Sequence, residues 1–498
     1  MSLSAYQQLE QNFSRLSALS GASAILHWDS AAMMPDGGSA ARAEQLATLD
    51  VLSHELLTQP QTEDLLAAAE SDSRALTSWQ QANLREMRNK WRHATAVDAD
   101  LVEAYSRATS ASEMQWREAR AQNDFASLVP KMTDVIHLTQ TMAAAKSEAF
   151  GVTPYDALLD QYEPGCVSAT IDGLFQDLEE FLPGFLPQVL ERQAATADIP
   201  MPAGPFDIDV QKKLGQEFMT ALGFDFNHGR LDTSHHPFTG GIPDDVRLTT
   251  RYDSDDFTQS LMGTLHETGH ALYEQGLPSD WRSQPVGLAR GMVLHESQSL
   301  LVEMQLSRSP EFLSYAVPKI RDAFKGDGPA WDMDNLKRLY LKVAPGMIRV
   351  DADEVTYPLH VMLRYRLEKA LLSGDLPVGD LPAAWNSEMQ SLLGITPPTD
   401  ALGCLQDIHW PSGAIGYFPT YTLGALAAAQ LYQAANDQIS ELPQDIEAGQ
   451  FGGLLSWLRT HVHEQGSSKS TDEILALATA APLGTDAFKA HLKARYLP

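Results

Sequence analysis

Cysteine is nearly absent from this 498-residue chain: Cys166 and Cys404 are the only two. They lie far apart and lack the paired spacings of a disulfide framework or a cysteine-type zinc site, which fits a reducing compartment. Positive charge is also scarce, with 36 basic against 65 acidic side chains and a formal charge of −29. A field of that sign repels phosphate backbones and anionic lipid surfaces, so neither nucleic acid nor a membrane is expected as a partner. No run approaches the roughly 20 apolar residues that span a bilayer. The opening MSLSAYQQLEQNFSRLSALSG has no basic start followed by an apolar core, so a cytoplasmic location is expected. Disorder is excluded as well, because 44% of residues are apolar and only 20% charged.

What is present is mostly helical text. From Ala41 to about Ala149, Ala, Leu, Glu, Gln, Arg and Met dominate, with apolar residues at helical spacing in LATLDVLSHELL and DLVEAYSRATSASEMQWREA. Gln59-Pro60 interrupts this region and Gly151 ends it. Between about residues 200 and 252, short β-branched and aromatic runs separated by Gly, Asp and Pro predict a small sheet. Helical patterning then resumes almost to Pro498, broken by a loop from Gly403 to Gly416. Ser470 to Glu473 has capping-box spacing.

The segment RYDSDDFTQSLMGTLHETGHALYEQGLP carries the chemistry. Asp253 or Ser254 is suited to cap a helix that Gly276 and Pro278 end, and Phe257, Leu261, Leu265 and Leu272 give it a buried stripe. Within it stands His266-Glu267-Thr268-Gly269-His270. The histidines are one turn apart on one face, so both imidazoles can reach one ion. This composition yields the pattern by chance in only about three chains per hundred. Hydrolytic zinc takes three protein ligands and keeps a position for water, whose proton Glu267 is placed to accept.

The third ligand must come from elsewhere. The variant with a third histidine close downstream is excluded, because Tyr273 and Gly276 stand where it needs Gly and His. Glu296, in the apolar stretch GLARGMVLHESQSL, is the expected ligand, since a carboxylate in such surroundings needs a partner. Glu303, two turns later, competes for the role, although its ordinary reading is a solvated surface charge. His295 is read as a packed or hydrogen-bonded histidine.

These residues resemble the carboxypeptidase Taq family of metallocarboxypeptidases. The likeness rests on HETGH at 266 to 270 and HESQS at 295 to 299, joined by HPF at 236 to 238, DVRLT at 245 to 249, IRVDADE at 348 to 354 and GCLQDIHW at 403 to 410. The N-terminal LHWDSAAMMPDGGSAARAEQLATL also resembles that family, so the match runs nearly end to end. The resemblance implies a single mostly helical body over 1–498 with a deep groove and a small sheet beside the metal helix. Its parts would be helices to about 195, the sheet at about 200–252, metal-site helices at about 254–310 and substrate-recognition segments at about 345–425. It further implies a homodimer, broad removal of C-terminal residues, metal ligands at His266, His270 and Glu296, the general base at Glu267, and zinc, with cobalt or another divalent cation as alternatives.

An enzyme acting at a C-terminus must grip a free carboxylate, and a planar guanidinium does so with two parallel hydrogen bonds. Arg349, within IRVDADE, is the candidate, with ion pairing to Asp351 or Asp353 as its structural alternative. Arg247 lies on the expected strand DVRLTTRY, whose edge is suited to align an extended peptide. His236, His409 and Tyr421 are candidates for binding substrate or the developing oxyanion. Trp28 and Trp410 are read as packing residues. The competing functions are a metallo-oligopeptidase that cuts internal bonds and a non-catalytic peptide-binding protein.

Overall fold

The computed structural model describes residues 3–196 and 198–498. Among the described residues the chain is mostly α-helical with one three-stranded sheet, as expected. Among the described residues no helix is long and apolar enough to cross a membrane. Two compact units are present, and each is assembled from three separate stretches. The first takes in residues 3–94, 198–340 and 424–483; the second takes in 95–196, 341–423 and 484–498.

In the first unit, Tyr6, Leu9 and Phe13 of the N-terminal helix Ala5–Ala32 pack with Leu66, Leu84 and Met87 into one apolar core cluster. The region expected as sheet is partly helix. Helix Ile208–Leu222 occupies its first half, because Leu214, Phe218 and Leu222 recur at intervals of four and all are buried. The Asp207 side chain caps it, and Gly223 ends it at φ 102°. The strands follow as β1 (Gly229–Thr233), β2 (Phe238–Ile242) and β3 (Asp245–Thr250). Their order is β1-β3-β2, with β1 parallel and β2 antiparallel to β3. Arg247 therefore lies on the central strand, and the edge sought in DVRLTTRY belongs to β1 and β2 instead.

The sheet leads into helix Phe257–Gly276, which carries HETGH. Its cap is Asp256, whose carboxylate accepts from Thr258 N, and not Asp253 or Ser254. Asp253 accepts from Asp255 N two residues earlier, so the first acidic residues form a local turn and helix begins only beyond them. Phe257, Leu261, Leu265 and Leu272 are buried, as the stripe predicts. The next helix, Gly291–Leu300, carries Glu296 and continues into a π-helical turn, Leu301–Leu306.

The second unit contains long helices such as Phe125–Phe150 and Ser168–Ala194, together with helix Tyr357–Ser373. Gly403 to Gly416 is irregular, as expected. Glu354 of IRVDADE is only 4% exposed, and His491, Arg495 and Tyr496 of helix Asp486–Tyr496 surround its carboxylate.

Candidate metal and substrate sites

Helices Phe257–Gly276 and Gly291–Leu300 approach so closely that a Cβ on Gly269 would lie 2.3 Å from the Gln298 carbonyl oxygen. The glycine inside HETGH is thus what lets the second helix reach the first. On one side of this contact His270 faces Glu296, with Nε2 3.4 Å from Oε2. One helical turn earlier, His266 faces Glu303, with Nδ1 3.0 Å from Oε2. Glu296 also needs Gly424 opposite it, because a Cβ there would lie 2.8 Å from the glutamate's own Cβ and Cγ.

Donor atoms of His266, His270 and Glu296 all lie within 4.8 Å of one another. His266 uses Nδ1 on Glu303 and His270 uses Nδ1 on the His295 carbonyl at 3.1 Å, which leaves Nε2 of each ring as the inward donor. Bonds of about 2 Å in a tetrahedron put ligand atoms about 3.3 Å apart, close to the His270–Glu296 separation. The electrostatics agree with a cation. Burial lowers the His266 ring, yet its bond to Glu303 and the charges of Glu296, Glu303 and Glu267 raise it to about 10. Burial alone would raise Glu296, but the hydrogen bond from His270 and the surrounding histidines hold it down at about 2. His270 is lowered, first by burial and then by its histidine neighbours. The cluster fits a divalent ion.

Glu303 lies outside the converging group of His266, His270 and Glu296, and with its side chain 13% exposed it is not a solvated surface charge. It sits in the π turn, whose extra width re-aims the chain after Leu300, and it also accepts from Arg308 Nη2 at 2.7 Å. A carboxylate on the outer nitrogen of a ligating histidine fixes its ring and raises its basicity. Glu303→Gln should accordingly weaken metal binding by about 10–100-fold. Competition against a chelator of known affinity reads this directly, and an unchanged affinity would remove Glu303 from the site. The signal for it in the sequence is its seven-residue spacing from Glu296, which puts both on one helical face. His295 stacks on His270 with ring centroids 4.6 Å apart and pairs with Glu274 at 2.9 Å, as a hydrogen-bonded histidine does.

His236 lies exposed in the connection from β1 to β2, where its carbonyl accepts from the Ser234 hydroxyl. Arg247 grips Asp245 with Nη2 to Oδ2 at 2.7 Å and lies 4.3 Å above the buried Trp28 ring. Trp28 is a packing residue beneath that guanidinium.

Arg349, His409 and Tyr421 come together in the second unit. Arg349 is 5% exposed, and its partner is neither Asp351 nor Asp353 but Asp407, 58 residues away, at 2.9 Å from Nη2. Asp353 instead accepts from the backbone amides of Ala344, Val355 and Thr356. Asp407 also takes Arg364 Nε at 2.7 Å, so one carboxylate holds two guanidinium groups and is itself held far below the usual range. Gln406 accepts from Arg349 N and donates to Met347 O, fastening GCLQDIHW to IRVDADE through the backbone. The Tyr421 ring lies 4.8 Å under the Arg349 guanidinium, and its hydroxyl is 3.2 Å from His409 Nε2. Burial lowers His409 to about 4, leaving a neutral ring.

Glu368 fastens the same loop from below. It is fully buried, where Tyr155 OH, Trp410 Nε1 and the Gly416 amide donate to it and, among the described residues, no cation pairs with it. Burial raises it from 4.5 to about 8. A raised carboxyl contributes stability that is complete below its unfolded value and lost as pH climbs through the folded one. The Tm of Glu368→Gln relative to wild type should therefore rise between pH 5 and pH 9, by the equivalent of a few kcal/mol. A difference that stays constant with pH would refute this.

Comparison with known proteins decides the family. A model of the carboxypeptidase Taq (M32) metallopeptidases matches residues 8–496. The chain belongs to that family. It is 37% identical to thermostable carboxypeptidase 1 of Thermus thermophilus, over 99% of this chain and 98% of that one. Carboxypeptidase 1 of Bacillus subtilis is 34% identical over 97% and 96%. The solved structure of Trypanosoma cruzi metallocarboxypeptidase 1 superposes with a TM-score of 0.97 at 40% identity, covering 99% of both chains. This M32 member is a metallocarboxypeptidase, a peptide hydrolase dependent on a divalent ion.

Proposed function

We propose a zinc-dependent carboxypeptidase that releases C-terminal residues from peptides with broad specificity, His266, His270 and Glu296 holding the ion. The observation that carries this reading is the convergence of two Nε2 atoms and a buried carboxylate, each ring oriented by its own outer partner. Two imidazoles and one carboxylate suit zinc, and cobalt is the alternative cation. When bound, the ion supplies Lewis acidity and makes water a nucleophile near neutral pH. Glu267, beside the first ligand, takes the proton from the attacking water and delivers it to the departing amine. Arg349, oriented by Asp407, reads the substrate's terminal carboxylate, with His409 and Tyr421 as neutral hydrogen-bonding groups beside it. His236 is assigned to substrate binding, and Arg247 to supporting the strands that line up the peptide.

The whole chain acts as one peptidase domain, working as a cytoplasmic homodimer. The test pairs a peptide with its C-terminally amidated twin and follows both by mass spectrometry. Stepwise loss from the free acid and resistance of the amide are expected; equal cleavage, or internal fragments first, would make the protein an oligopeptidase. His270→Ala should lose the bound metal, and metal-stripped protein reloaded with zinc or cobalt identifies the working ion.

A further inference from the structure

Thr239 stands on β2, paired with Leu248 of the central strand, and its hydroxyl points at HETGH. Oγ1 lies 2.6 Å from Glu267 Oε2 and 3.2 Å from the Glu267 backbone oxygen. Both are acceptors, and a hydroxyl has one proton to donate, so the shorter bond to the charged group takes it. Among the described residues, no other side chain donates to this carboxylate. The last torsion of a glutamate is broad and nearly two-fold, so a carboxylate with no anchor rotates freely between its oxygens. The strand does not depend on this side chain. Phe238 N donates to Thr249 Oγ1 at 3.1 Å, and the ladder to β3 continues through Ile242.

We propose that Thr239 is a positioning residue for peptide hydrolysis: its hydroxyl anchors Oε2 of Glu267 and so reserves Oε1 for the proton of the attacking water. This rests on Glu267 being the base. An unanchored carboxylate spends part of its time turned away from the water, which costs turnover without altering how substrate binds. Anchoring is a geometric contribution of the kind a misplacement of about 1 Å erases.

The test measures kcat, KM, metal content and Tm for Thr239→Val, Thr239→Ser, Glu267→Gln and the Thr239→Val/Glu267→Gln double variant, on an N-blocked dipeptide with a free C-terminus. Valine is close to threonine in shape and equally at home in a strand. Thr239→Val should lower kcat about tenfold with KM, metal content and Tm unchanged, a loss typical of one hydrogen bond to a charged group. Thr239→Ser should stay within about twofold of wild type. In the Glu267→Gln background the Thr239→Val change should have no further effect, since residues acting as a unit are not additive. Wild-type kcat in Thr239→Val, failure of serine to rescue, or a full tenfold loss in both backgrounds overturns the proposal. If Glu267→Gln is inactive while Thr239→Val is normal, only the Thr239 role falls. If Glu267→Gln is fully active, the base assignment falls and Thr239 with it.

Discussion

Glu267→Gln should bind metal as wild type does and lower kcat by about 10²–10⁴-fold, with KM little changed. The amide preserves shape and the contact with Thr239 but has no basic oxygen to receive a proton. Because Glu267 is not one of the three converging donors, metal content separates loss of the base from loss of the site. Elemental analysis beside steady-state kinetics decides it: full activity would eliminate Glu267 as base, and vanished metal would make its role structural.

Asp407→Ala should be the most damaging change in the second unit. It leaves the Arg349 and Arg364 guanidinium groups facing each other in the interior without a counter-charge. Removing one partner of a buried ion pair costs about 3–5 kcal/mol. Burial lowers Arg364 to about 10, with the Arg349 charge adding to the effect and Asp407 opposing it. Denaturant unfolding should register the loss, and KM for free-acid peptides should rise as Arg349 loses its orientation. A variant with wild-type stability and KM would show that the two arginines are held by other means.

These cases divide what is legible in the sequence from what is not. HETGH is legible because its chemistry is local: four residues of helix put two imidazoles on one face, and flanking leucines name the buried side. Glu296 is legible because a carboxylate in an apolar helix needs a reason to be there. Thr239 and Asp407 are not, because each acts on a side chain it meets only through folding, 28 and 58 residues away. IRVDADE misleads by offering Asp351 and Asp353 at close range, where backbone amides take Asp353 first. Strand order misleads in the same way, since alternation identifies β3 as a strand but does not say that β2 and β1 flank it. Gly269 is written in the motif, yet its meaning is a distance to Gln298 that no local pattern contains.

Neither compact unit is a contiguous piece of chain, since each is stitched from three stretches that alternate along the sequence. A cut anywhere between residues 95 and 483 divides both of them. Gene shuffling at one crossover point in that span would therefore splice parts of both ancestors into both units, and substitutions on either side of the splice would have to be compatible in each. Such a chain is inherited as a block, which restricts how new specificities can be borrowed from relatives to point changes and loop exchanges.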